Sequence, residues 1–182
     1  MLMETYIQTF TGKKFWPLAP RGEDVDIRDI AHALAFKCRF NGHCRYFYSV
    51  AEHSVRVSRA VEEKFALWGL MHDAGEAYLT DVGAPIKPFF RIEDGGKVKT
   101  FGAAEDALLD VIADALKFPR VDYAQVRAAD LQLLATEARD LMGVVGDAWG
   151  LGVAPLDEKI VPVGPQEAEG MFLARWEELR AK

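Results

Sequence analysis

Along most of the chain, apolar residues recur at three- and four-residue steps, a period that predicts helices. Asp26 is placed to cap a first helix in which Ile27, Ile30, Ala31, Leu34 and Cys38 form one stripe. That helix is expected to stop near Asn41-Gly42, where glycine tolerates a left-handed C-terminal conformation. Ser49-Val50-Ala51-Glu52 has the form of a capping box, in which serine and glutamate satisfy each other's free backbone amides. The helix it opens carries His53, Val57, Ala60 and Val61 on one side. The stretch FALWGLMHDAGEAYL is apolar over much of its surface and predicts a central helix. Residues 80–99, rich in Gly, Pro and charge, predict a long loop. Further helices are expected over 103–116, from Asp122 and Gln125 to about Met142, and from Pro165 onward with Ala168, Phe172, Trp176 and Leu179 inward. The opening segment has one turn signal, Thr11-Gly12, and two prolines, and predicts an extended hairpin or irregular arm. Strand signals are few. The expected fold class is therefore all-α, a single domain made of an arm (1–25), a helical core (26–142) and a loop with a C-terminal helix (143–182).

Composition narrows the function classes. Half of the 182 residues are apolar, enough for one core, and 11% are aromatic, too many for a chain that stays unfolded. A net charge of -6 argues against a coat for nucleic acid polymer or for an anionic membrane. No apolar run approaches the roughly 18 residues of a membrane span, and MLMETYIQTF lacks the basic and apolar regions of a signal peptide. Cys38 and Cys44 are too few for a disulfide framework, so a reduced, cytoplasmic setting is expected. The charge is uneven. Residues 12–59 carry nine Lys/Arg against five Asp/Glu, and three of the four histidines lie there.

Against this background, His72-Asp73 is an adjacent pair in the most apolar helix, with Glu76 four residues after the histidine on the same face. Consecutive helical side chains diverge by about 100°, so both can reach one point lying between them. His53 lies in the apolar stripe of its own helix, where a hydrogen-bonded core histidine is the commoner role. Asp130 is on an inward face between Val126 and Leu133, and a buried carboxylate there requires an arginine or a cation. Glu137, two turns on, shares that face. His53, His72, Asp73 and Asp130 together would be a mixed nitrogen and oxygen ligand set suited to Mn, Fe, Co, Ni or Zn. The alternative is a polar helix edge with a satisfied core histidine.

The order H…HD…D, with AEHSV, LMHDAGEAYLTDVGAPIK and AADLQLLATEARDLM around it, resembles the HD-domain phosphohydrolase superfamily, in particular bacterial 5′-deoxynucleotidases. The run DIAHALAFKCRFNGHCRYFYSVAEHS is similar to short phage-type enzymes that hydrolyse dATP. The likeness spans roughly residues 10–142 and implies a compact HD-domain helical bundle. It makes His53, His72, Asp73 and Asp130 the ligands of a divalent transition metal, with Mg as a second, phosphate-bound ion. Glu76 becomes the residue that handles protons for a metal-activated water attacking phosphorus, and Asp81, Pro85 and Lys87 form the loop at the mouth of the site. Arg39 and Phe40 match an arginine–aromatic pair that contacts phosphate and crowds the sugar 2′ position; the family aromatic is usually tryptophan. The resemblance thus implies a small-molecule 2′-deoxynucleotide substrate, as dNMP or dNTP, and a homo-oligomer. The surplus of bases in residues 12–59 leans towards the triphosphate. Trp16, beside Lys13 and Lys14, is a candidate base-stacking residue, with packing on the core as the commoner role. His32 is expected to share a helix face with Arg39. Two other classes stand beside the deoxynucleotide enzyme: a non-catalytic nucleotide-sensing module, and a hydrolase of cyclic nucleotides or (p)ppGpp.

Overall fold

The computed structural model describes residues 6–94, 96–120, 123–144 and 146–181. The arm is a hairpin: β1 (Ile7–Gln8) pairs antiparallel with β2 (Lys14–Phe15), with Ile7 opposite Phe15. Its turn is tied to the first helix by Asp29, whose carboxylate accepts from the Thr11 N–H at 2.6 Å and the Thr11 hydroxyl at 2.9 Å. Phe15 is fully buried and stacks on Tyr78 with centroids 3.7 Å apart. The arm therefore contributes to the core.

Asp26 caps α1 (Ile27–Ala35) as expected, accepting from the Arg28 N–H at 3.0 Å. The helix ends at Ala35, before the last residue of its apolar stripe, Cys38, and well before the stop expected near Asn41-Gly42. Phe36 closes it, and the chain then runs extended so that Cys38 bridges Ser49. The Arg39 N–H donates to the Tyr48 carbonyl at 2.9 Å, and the Val50 N–H to the Lys37 carbonyl at 3.0 Å. This pairing seats the start of the next helix and removes His32 from any helix face shared with Arg39.

Ser49 caps α2 (Val50–Ala60) through the Glu52 N–H. The reciprocal half of the capping box is replaced: the buried Glu52 carboxylate accepts from Arg56 and from the distant Val163 N–H at 3.0 Å. The expected central helix divides into α3 (Ala66–Met71), a turn over 72–75 and α4 (Glu76–Leu79). Gly69 lets α3 approach α2 closely. A Cβ there would stand 3.1 Å from the Ser58 Cα, tighter than packed backbones ordinarily allow.

Residues 80–100 correct the fold class. They hold β3 (Arg91–Asp94) and β4 (Lys97–Thr100), paired antiparallel from Arg91–Thr100 to Asp94–Lys97. With two small two-stranded sheets among the described residues, the molecule is helical with β elements and not all-α. Gly96, at φ +79°, supplies the turn that L side chains rarely adopt, and Thr100 ends the hairpin as the cap of α5 (Phe101–Leu116). Next comes α6 (Tyr123–Glu137), which continues as a π-helical turn over Ala138–Met142. The expected cap at Asp122 lies outside the described residues. Pro165 opens α7 (Pro165–Arg180), which lies on α1, α2 and α3. Ala168, Phe172 and Trp176 are buried there, and the buried Arg175 donates to the Ser58 hydroxyl at 3.1 Å. Among the described residues, no helix is long and apolar enough to cross a membrane.

The first cap carries a pH signature. Hydrogen bonding to Arg28 is the main influence that lowers Asp26 to about 2, against the opposing effect of burial. A depressed carboxyl stabilises the fold above its unfolded pKa, and that contribution is lost as pH falls through the folded value. Asp26→Asn keeps a capping oxygen while removing the charge. We expect it to lower stability by about 1 kcal/mol at pH 7, with the gap to the parent closing between pH 4 and pH 2 in parallel denaturation curves. A gap independent of pH would show that the charge contributes nothing.

Candidate metal centre

Two helical elements bring three ligand groups together, and a third places a carboxylate against one of them. His53 comes from the first turn of α2, His72 and Asp73 from the turn that follows α3, and Asp130 from the middle of α6. Ligand atoms of His53, His72 and Asp73 all lie within 4.8 Å of one another. His53 Nε2 is 3.8 Å from Asp73 Oδ2 and 3.2 Å from Asp130 Oδ1, and His72 Nε2 is 3.4 Å from Asp73 Oδ2. The close approach at Gly69 brings the two imidazoles to a centroid distance of 5.4 Å.

The far nitrogen of each ring is already committed. His72 Nδ1 lies 2.8 Å from the Gly69 carbonyl, which can only accept, so Nδ1 carries the proton and Nε2 presents its lone pair. His53 Nδ1 lies 2.7 Å from Glu137 Oε1. Burial disfavours the Glu137 carboxylate, but Arg39 and His53 hold it below its usual range, so it too acts as acceptor. His53 Nε2 is buried and has no hydrogen-bond partner, although Asp130 is near. Burial and Arg39 both oppose a charged His53, yet Glu137 and Asp130 outweigh them and raise it to about 9. The carboxylates thus demand positive charge where the orphaned Nε2 points. Two oriented imidazoles, one of them with an unpartnered buried Nε2, and the Asp73 carboxylate, with Asp130 beside His53, fit a divalent cation.

Glu137 is completely buried and binds two site residues at once, His53 through Oε1 and Arg39 Nη2 through Oε2 at 3.1 Å. It is the last residue of α6 before the π-helical turn, a distortion that often accompanies function. Arg39 reaches on towards Asp73 Oδ2 at 3.8 Å, and its Nε is buried without a partner. The arginine expected to meet substrate is therefore also part of the frame.

Glu76 opens α4 beside the cluster. Burial, with Asp73 and Asp81 nearby, pushes its carboxyl well above the usual range, and its Oε2 is buried and unpartnered. An adjoining pocket of about 370 Å³ is lined by His72, Asp73, Glu76, Lys87, Glu105 and Arg120, among others. Lys87 donates to Glu105 there at 2.9 Å. Asp81 is half-buried and acts electrostatically on Glu76 and on Lys37.

Trp16 does not join these residues. Its ring meets Tyr6 at 5.7 Å and the Arg21 guanidinium at 4.4 Å, within the arm, because the hairpin turns Phe15 inward and leaves Trp16 on the other side. His32 instead stacks between Phe10 and Phe36 and bonds to Glu169 at 3.0 Å. Phe40 lies near the site, with the Arg39 guanidinium 5.3 Å from its ring centre. Lys37 was not anticipated: its Nζ donates to the Glu76 carbonyl. The available signal was its spacing, since Lys37 and Arg39 are two apart in an extended segment and so share a side. Glu105 and Arg120 had no sequence signal.

No protein-family model matches the chain. The uncharacterized protein YfdR of Escherichia coli (strain K12) is 39% identical over 178 residues, which is 96% of each chain. An uncharacterized protein of Rhodobacter capsulatus is 41% identical over 86 residues, covering 42% of this chain and 44% of its own. With identity of that level sustained from end to end, the chain belongs to the YfdR family.

Proposed function

We propose that this protein is a divalent-metal-dependent phosphohydrolase of the HD superfamily acting on 2′-deoxynucleotides, either as a triphosphohydrolase of dATP and other dNTPs or as a 5′-nucleotidase of dNMPs. One observation carries the proposal: His53 meets His72 and Asp73, with ligand atoms of all three within 4.8 Å of one another, and Asp130 lies 3.2 Å from His53 Nε2. His53, His72, Asp73 and Asp130 would hold the ion, with Mn, Co, Zn, Fe or Ni suited to the donor set. When bound, such an ion supplies Lewis acidity and positive charge to a phosphoryl group.

The remaining chemistry belongs to the chain. Glu76, whose Oε2 has no hydrogen-bond partner, would accept and direct the proton of the attacking water. The Lys87 ammonium gives one N–H to Glu105, leaving two for phosphate oxygens in the same pocket. Glu137 fixes the Arg39 guanidinium plane through Nη2, and Nη1, on the Asp73 side, is the donor Arg39 would offer to phosphate. In-line displacement at phosphorus needs little more than this positioning and charge. Both cysteines are free thiols, which suits a cytoplasmic enzyme. A homo-oligomer is part of the proposal through the family likeness alone.

Purified protein supplied with Mn, Co or Mg is expected to release phosphate, pyrophosphate or tripolyphosphate from a panel of dNMPs and dNTPs, and to prefer them over ribonucleotides. Absence of any release would end the enzyme proposal and leave a nucleotide-sensing module. Two variants separate metal from chemistry. Asp130→Ala is expected to lose metal, measured by elemental analysis after gel filtration. Glu76→Ala is expected to keep it while turnover falls about 10²- to 10⁴-fold. Glu137→Gln keeps the shape of the buried bridge but weakens its hold on His53 Nδ1, and we expect metal affinity about 10- to 100-fold lower. Parent-like metal binding by Glu137→Gln in a competition titration would show that His53 is oriented by other means.

A further inference from the structure

Beside Phe40, which the family resemblance sets against the sugar 2′ position, stands a second aromatic ring that the proposed mechanism leaves unused, Trp149. Phe40 and Trp149 are 109 positions apart in sequence, yet their ring centroids are 5.9 Å apart at 54°. The pair is joined to the site by contact: the Arg39 guanidinium is 5.3 Å from the Phe40 ring centre and its Nη1 is 3.8 Å from Asp73 Oδ2. Phe40 and Asn41 both adopt left-handed backbone, at φ 55° and 51°, a conformation that side chains bearing a Cβ avoid. The Phe40 ring is thus held in place at the cost of local strain, which is characteristic of ligand-contacting segments.

Trp149 is presented by a loop built for that geometry. Gly146, Gly150 and Gly152 all have positive φ, and the Asp147 carboxylate accepts from the Leu151 N–H at 2.6 Å and the Gly152 N–H at 2.9 Å. Under the loop lies a cavity of about 280 Å³, bordered by Ala135, Ala138 and Trp149. The indole is 40% exposed, so it neither completes the core nor is covered by the loop. A ligand with phosphate at the Asp73 end and a flat ring a few bonds away has the chemistry of a nucleoside phosphate.

We infer that Trp149, with Phe40, forms the surface on which the nucleobase of the substrate stacks. The inference rests on the phosphohydrolase proposal and names the part of the substrate that the metal and the cations do not hold. Stacking on an aromatic side chain is tolerant of base identity, so the pair selects for a base without choosing among bases.

The test compares kcat/KM for a deoxynucleotide with kcat/KM for 2-deoxyribose 5-phosphate, which lacks the base. We expect Trp149→Ala to lower that ratio roughly tenfold, through KM for the nucleotide, and Trp149→Phe to restore most of it. An unchanged ratio in Trp149→Ala, or equal losses in Trp149→Ala and Trp149→Phe, would overturn the inference. If the parent protein hydrolyses neither compound, the phosphohydrolase proposal fails separately. Equilibrium dialysis with dAMP then decides the stacking surface: weaker binding by Trp149→Ala than by Trp149→Phe supports it, and binding equal to the parent in both overturns it.

Discussion

The structure depends on a carboxylate that ought not to be buried. Glu137 is wholly withdrawn from water, and a charge in that position is tolerated only when its oxygens are matched by donors. His53 takes one oxygen and Arg39 the other. Those two bonds join α2, α6 and the extended segment after α1, so the same interaction that makes the burial affordable also fixes the candidate centre. Removing either donor would leave a buried charge half-satisfied. The imidazole orientation, the guanidinium plane and the position of α6 are therefore one interlocked arrangement.

A second constraint acts through space rather than charge. His72 reaches His53 because α3 approaches α2 over a residue with no Cβ, and the carbonyl of that residue, Gly69, receives the His72 Nδ1 proton. One glycine thereby sets both the distance between the imidazoles and the tautomer of one of them. In the turn over 72–75, where His72 and Gly75 keep helical dihedral angles, His72 Nε2 and Asp73 Oδ2 come within 3.4 Å of each other.

Much of this was legible in the chain because helices write their faces into sequence. The caps at Asp26 and Ser49, the start at Pro165, and the inward Ala168, Phe172 and Trp176 follow from local rules that tertiary structure left intact. The four proposed ligands were legible for a different reason: such polar groups on apolar faces need an explanation. What sequence could not provide was long-range pairing. The Cys38–Ser49 bridge shortened α1 against its own periodicity, since two backbone hydrogen bonds to the segment before α2 replaced another turn of helix. The hairpin over 91–100 was hidden because Arg-Ile-Glu-Asp and Lys-Val-Lys-Thr are too polar to announce a half-buried sheet. Trp149 sits in a glycine-rich loop that carries no helical or strand period, so only the folded chain brings it to Phe40.

Charge closes the account of the site. The basic surplus in residues 12–59 leaned towards a long phosphate chain, but the folded arrangement spends much of it internally. Arg39 is shared between Glu137 and Asp73, Lys37 is turned to a backbone carbonyl, and outside that segment Lys87 is paired with Glu105. Around the centre, Arg39, Lys37, Lys87 and Arg120 stand against Asp73, Glu105, Asp130 and Glu137, while Glu76 is pushed towards its neutral form and His53 towards its charged one. The bare side chains are thus close to balanced in charge, and a divalent ion held by His53, His72, Asp73 and Asp130 would turn the local sign positive. With Arg39, Lys37 and Lys87 already paired inside the protein, the local basic surplus carries no information about how many phosphates a substrate would bring.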